Sequence, residues 1–226
     1  MWVSILLLTT NIPFGIYCNM KKTHPVKKAE LTRQFIIEKT APIFNQKGIF
    51  GTTIADLTQA TGLTKGSIYG NFKDKNAVAI AVFKHNVANL IDYLTKYIDQ
   101  KECYVEKLLS LSESYRNLYP FMIEFGGCPL ANTATESDDT HPELRELTAN
   151  AMEGMVNRIV DLIEGGKRAG EIEPLVDSQK TADVIMSLIE GGTILSKTTQ
   201  RKGFIMNSLE QVDYLIYSIK KQIPIV

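Results

Sequence analysis

Cysteine and histidine are scarce in this 226-residue chain, and each scarcity removes a class of function. The three cysteines, Cys18, Cys103 and Cys128, show no Cys-x-x-Cys pair and no paired spacing. They offer neither a disulfide framework nor a thiolate zinc site, and they suit a reducing, cytoplasmic setting. His24, His85 and His141 are scattered, so no metal site is expected. A phosphate-cradling Walker loop, a Gly-x-Ser-x-Gly elbow, a His-Glu-x-x-His pair and a dinucleotide fingerprint are all missing. Catalysis has no visible machinery here, and no cofactor is expected. Convincing strand alternation is also missing, which makes the fold class all-α.

Long apolar runs are confined to the start. Met1 to Asn19 is uncharged and largely apolar. It lacks the basic leader and small-residue cleavage site of a signal peptide, and Pro13 and Gly15 interrupt a stretch already short for a membrane span. We read residues 1–20 as an apolar extension from an over-extended start site, with Met20 the natural beginning, and expect no membrane partner; the alternative is a membrane anchor.

Net charge is zero: twenty-five Lys and Arg balance twenty-five Asp and Glu. That balance alone argues against a strongly basic nucleic-acid binder. The distribution does not. Between Lys21 and Lys75 stand ten basic residues and four acidic ones, while residues 76–226 carry the compensating acidic excess. Such asymmetry points to a basic head, residues 21–75, on an acidic body, residues 76–226, with a different task.

What the chain does have is concentrated between Thr52 and Lys75, TTIADLTQATGLTKGSIYGNFKDK. Thr53 is a good N-cap, and Asp56 can complete a capping box. Ile54, Leu57 and Ala60 fall on one helical face. Gly62 stops that helix, and Thr64 opens a second one, Lys65-Gly66-Ser67-Ile68-Tyr69. Helix, short turn with Gly, and second helix is the helix-turn-helix pattern, whose second helix meets base edges. Lys65 can reach a guanine edge or a phosphate, and Gly66 lets the backbone come close. Thr64 and Ser67 are short donors and acceptors. Tyr69, Asn71 and Lys75 follow at spacings that suit the phosphate backbone.

The run TT…DL…A.GLTKGSIY..F.DK resembles the DNA-binding domain of the TetR family of transcriptional repressors, from about Thr32 to Phe83. The resemblance implies DNA contacts at Thr53, Thr64, Lys65, Gly66, Ser67, Tyr69, Asn71 and Lys75. It also implies a homodimeric, cytoplasmic repressor that binds a palindromic operator and is released by a small-molecule effector. The chain departs from the commoner family pattern at Thr58, Gly70 and Asn71. The competing reading is a helical small-molecule-binding protein or enzyme without DNA binding.

Around this motif the spacing predicts a first helix over residues 29–47, kinked near Thr40 by Pro42 and ended by Gly48. Asp74 caps a long helix to about Asp99, with Phe83, Val87, Leu90, Leu94 and Tyr97 as its apolar stripe. Helices follow through residues 108–122, 128–136 and 142–165, the third fading at Gly165-Gly166. The final helices span residues 178–199 and 207–222. By the resemblance, Ile185, Ile189, Leu209, Val212, Ile216 and Ile219 would form the dimer seam; packing against the protein's own body is the alternative. Gly191 and Gly192 either weaken the first of these helices or permit a close crossing. Residues 126–146 are similar to the C-terminal domains of one branch of the family. Tyr115, Phe121, Phe125, Cys128, Asn132, Met152 and Met155 are candidates to line an effector pocket. Lys27, Lys28 and Arg33 could follow a phosphate backbone or equally form a solvated charged lead. The acidic run Glu136, Asp138 and Asp139 with His141 reads as a solvated loop rather than a cation site.

Overall fold

The structure is a computed structural model and describes residues 28–222; the apolar extension lies outside the described residues. Within them the fold is all-α, with nine helices and no strand beyond one isolated bridge between Ile172 and Lys220. They are α1 (Lys28–Gly51), α2 (Ile54–Thr61), α3 (Lys65–Asn71), α4 (Lys75–Asp99), α5 (Tyr104–Glu124), α6 (Pro129–Ser137), α7 (Pro142–Arg168), α8 (Ser178–Thr199) and α9 (Gly203–Ile219). Helices α1 to α3 form the head. Helix α4 begins in the head and runs into the body, where it packs on α5; α5 to α9 pack on one another. The same α4 joins the two hydrophobic regions, so one apolar cluster extends from Ile36 to Ile219.

Local chemistry starts and stops the head's helices. Thr53 accepts the Asp56 amide while Asp56 accepts the Thr53 amide, closing the expected capping box. Gly62 ends α2 in the left-handed region, φ 67°, where a side chain would be strained. Thr64 accepts the Ser67 amide and Asp74 the Ala77 amide, starting α3 and α4 as expected.

Three helices depart from the sequence reading in ways that packing explains. Helix α1 continues through Pro42 and breaks at Gly48, φ 72° and ψ −180°, where the sequence reading ends it. A proline removes a single helix hydrogen bond, and buried Ala41 and Phe44 anchor the helix around it. Helix α7 runs past Gly165-Gly166 to Arg168, because these glycines are buried where the Tyr104 ring and Ile172 press on the backbone. Helix α9 starts at Gly203, before the apolar stripe alone would place it. Buried Ile205 lies in its first turn, and the Ile205 amide donates to Ser196 Oγ of α8 at 2.8 Å. A tertiary contact does there what a capping side chain does elsewhere.

Of the two readings of the seam residues, the single chain fits the second, packing against the protein's own body. Ile185, Leu209, Val212 and Ile216 are fully buried inside the single chain, and Ile189 and Ile219 nearly so. They close the protein's own α8–α9 layer over α5, so they have no surface left for a second copy. Gly192 permits this close crossing, since a Cβ there would stand 2.7 Å from Ser208 Oγ and 3.1 Å from Ile205 Cα. The apolar side chains that α8 and α9 leave exposed are Val184, Ile194, Leu195, Tyr214 and Tyr217.

Candidate nucleic-acid interface and effector core

The second helix of the motif is the seven-residue α3. Ile68 is its buried anchor, and Phe72 just after it is buried too. Thr64, Lys65 and Gly66 are exposed, while Ser67, Tyr69 and Asn71 are half-buried. Lys65 Nζ stands 5.9 Å from the Tyr69 ring centroid, a spacing at which a cation is held over an aromatic face. Thr53 is exposed at the start of α2 with its hydroxyl on Asp56. Asn71 donates its amide to Ser67 O, within α3 itself.

Two basic residues that the sequence reading sets near phosphate are bonded to the protein's own backbone. Lys75 Nζ donates to Ile49 O at 2.6 Å and Thr52 O at 2.8 Å, so it ties the α1–α2 connection to the start of α4. The Arg33 guanidinium lies 4.0 Å over the Phe72 ring and donates to Asn71 O, bracing α1 against the end of α3. Lys47 pairs with Asp56 at 2.7 Å; this bond, with the Thr53 contacts, brings the Asp56 carboxyl down to about 2. Sequence spacing identifies these residues as basic or capping. It gives no sign of which partner the fold brings to each.

The body's candidates separate in the same way. Tyr115 of α5 is fully buried, and its hydroxyl has no partner. Cys128, just before α6, is buried and donates to Glu190 Oε1 at 3.3 Å, while Glu190 Oε2 is buried without a partner. Burial lifts the Glu190 carboxyl to about 7, with the Cys128 hydrogen bond opposing. Burial, with Glu190 adding to it, also pushes the Tyr115 hydroxyl and the Cys128 thiol well up. Cys128 is thereby kept as a thiol, the unreactive form. Glu190 escaped the sequence reading because, on a mostly apolar helix, it looks like any surface glutamate.

Asn132 is a structural junction. Its amide donates to Asn45 O and Gly126 O, and its Oδ1 accepts from Lys197 Nζ at 2.9 Å. A cleft of about 80 Å³ lies among α1, α4, α5 and the α5–α6 loop, and Phe125 lines it with Tyr93, Leu118, Met122 and Pro129. Asn132 lines a smaller neighbouring cleft that holds about 20 Å³. Phe121 is half-buried near the end of α5. Met152 and Met155 pack from α7 onto the core and line neither cleft.

The acidic run does not gather around a cation: no metal-capable cluster occurs among the described residues. Glu136 accepts two head amides, Asp138 accepts the Asp139 amide, and His141 Nδ1 caps α7 through the Leu144 amide. Nor is any described helix long and apolar enough to cross a membrane.

A capped helix-turn-helix head carried on a larger helical body defines a DNA-binding regulator. Residues 36–82 match the family model "Bacterial regulatory proteins, tetR family", and residues 105–209 match "Tetracyclin repressor-like, C-terminal domain". The crystal structure of a TetR-family transcriptional regulator from Cytophaga hutchinsonii is 40% identical, covers 88% of this chain and all of its own, and superposes with a TM-score of 0.85. The HTH-type transcriptional regulator AcrR of Shigella flexneri is 29% identical over 75 residues, 31% of this chain and 35% of that protein. The fatty acid metabolism regulator protein of Bacillus subtilis is 24% identical over 69% of this chain and 78% of its own length. The chain belongs to the TetR family, a class of transcriptional regulators and not of enzymes.

Proposed function

We propose that the chain is a cytoplasmic repressor that binds a palindromic DNA operator as a homodimer and leaves it when a small-molecule effector binds the body. The observation that carries this reading is the exposed face of α3. Thr64, Lys65 and Gly66 stand outward on a helix whose buried side is fixed by Ile68. That arrangement suits a helix laid in the major groove, with Lys65 at a base edge and Ser67, Tyr69, Asn71 and Thr53 along the backbone.

For the dimer, the exposed apolar residues of α8 and α9 supply the surface: Val184, Ile194, Leu195, Tyr214 and Tyr217. They replace the buried seam residues in this role. For the effector, the unpartnered Tyr115 hydroxyl and Glu190 Oε2 support a polar recognition point in the α5–α6–α8 core. A buried polar group without a partner costs about 1–3 kcal/mol, and a bound ligand that pairs with it recovers that loss.

The test is selection of bound DNA from a random pool by the full chain, followed by a small-molecule screen on the resulting complex. The expected result is a palindrome whose half-site centres lie a whole number of helical turns apart, with at least one compound releasing it. Failure to enrich any sequence at low salt would overturn the reading.

A further inference from the structure

We propose that Glu136, a residue of the body, is a positioning residue for the DNA-binding head; this rests on the reading that the head binds DNA. The left-handed turn at Gly48 interrupts the ladder of helical hydrogen bonds at the end of α1. Just beyond it the amides of Ile49 and Phe50 donate to Glu136 Oε2 and Oε1, each at 2.9 Å. One carboxylate takes both amides, and charge-assisted bonds of this kind are roughly twice as strong as neutral ones. From the other side Lys75 holds Ile49 O and Thr52 O, and the Thr52 hydroxyl donates to Gly48 O at 2.5 Å. The joint that aims α2, and through it α3, is gripped between a head lysine and a body glutamate.

A side chain at position 48 would be strained by the φ of 72°, and its Cβ, 2.5 Å from Glu136 Oε2, would push the carboxylate off the two amides.

The other end of the grip lies deep in the body. Cys128, Asn132 and Glu136 recur every fourth residue, so they share one face of the α6 region. Cys128 reaches Glu190 of α8, and Asn132 takes Lys197 of α8 while holding Asn45 of α1. Helix α6 is therefore fixed to α8 at its start and to the head at its end. A displacement of α8 against α6 would reach the head through the Glu136 carboxylate.

The experiment uses the full chain and its selected operator, comparing Glu136→Gln with the wild type. Glutamine keeps the size but turns a donor toward one of the two amides. Hydrogen exchange at Ile49 and Phe50 should quicken while the body's amides stay protected. Operator affinity should fall about tenfold with the salt slope unchanged, since no phosphate contact is lost. Asp177→Ala removes a cap on α8 remote from the head; it should lower the melting temperature and leave operator affinity alone. If Glu136→Gln does not fold, Glu136→Asp replaces it, keeping both acceptors one methylene shorter and losing affinity in the same direction. Wild-type affinity in a folded variant, or unchanged exchange at both amides, would overturn the proposal. Failure of the wild type itself to bind any DNA would instead overturn the functional reading.

Discussion

A carboxyl without a counter-ion sits in the body's interior. Glu190 is bonded only through Oε1, to a thiol, and burial holds its carboxyl at about 7 against an ordinary 4.5. Between those values the folded chain keeps a proton that the unfolded chain releases. Its contribution to stability is fully present below about 4.5 and is lost as pH rises through about 7. Glu190→Gln keeps an acceptor for Cys128 and never ionises. Its melting temperature should therefore fall less from about pH 5 to pH 8 than that of the wild type, while the dependence set by half-buried His85 stays in both; equal profiles would remove Glu190 as a titrating group. The two lysines of the head should also fail differently. Lys65 is exposed on α3, so Lys65→Ala should cost roughly 1–3 kcal/mol of operator affinity and relax one position per half-site. Lys75 holds two backbone carbonyls. Lys75→Ala should lower the melting temperature by loosening the α1–α2 joint, at about 1–3 kcal/mol, with little change in salt slope. Binding over a salt series, beside thermal melts, separates the two.

At the scale of elements, legibility follows the range of the interaction. Helix α4 begins where its cap places it, because Asp74 acts on an amide three residues away, and α8 keeps its expected span with Asp177 acting in the same way. Gly48 breaks its helix where the sequence places the end, yet what Gly48, Gly165 and Gly192 make room for is set by tertiary contacts alone. The first makes the turn that Glu136 grips, the second lies under Tyr104, and the third lets α9 cross α8. Gly192→Ala puts a methyl against Ile205 backbone and Ser208, an overpacking that should cost about 1–3 kcal/mol in denaturant unfolding. The seam residues teach the same point from the apolar side. A stripe of Leu209, Val212, Ile216 and Ile219 states that α9 buries a face. It does not state whether the cover is α8 and α5 or another subunit.

The proposed assembly therefore depends on the faces left over after the chain has closed its own core. Val212→Glu places a charge inside that core and should destabilise the fold by several kcal/mol. Leu195→Glu and Tyr214→Glu alter exposed positions and should leave the melting curve of the monomer nearly intact while preventing dimers. Light scattering beside thermal melting checks both. A variant pair that stays dimeric would move the interface off this face. The sequence by itself determined the all-α class, the capped helix-turn-helix, the basic head and the outward chemistry of α3. These rest on residues a few positions apart, where cap, glycine and period act locally. Tertiary structure alone decided that Lys75 and Arg33 brace the head, that Glu136 reaches across to it, and that Glu190 and Tyr115 meet Cys128 in the interior. Those partners are tens of residues apart, and the identity of a polar side chain does not name the group that folding will set against it.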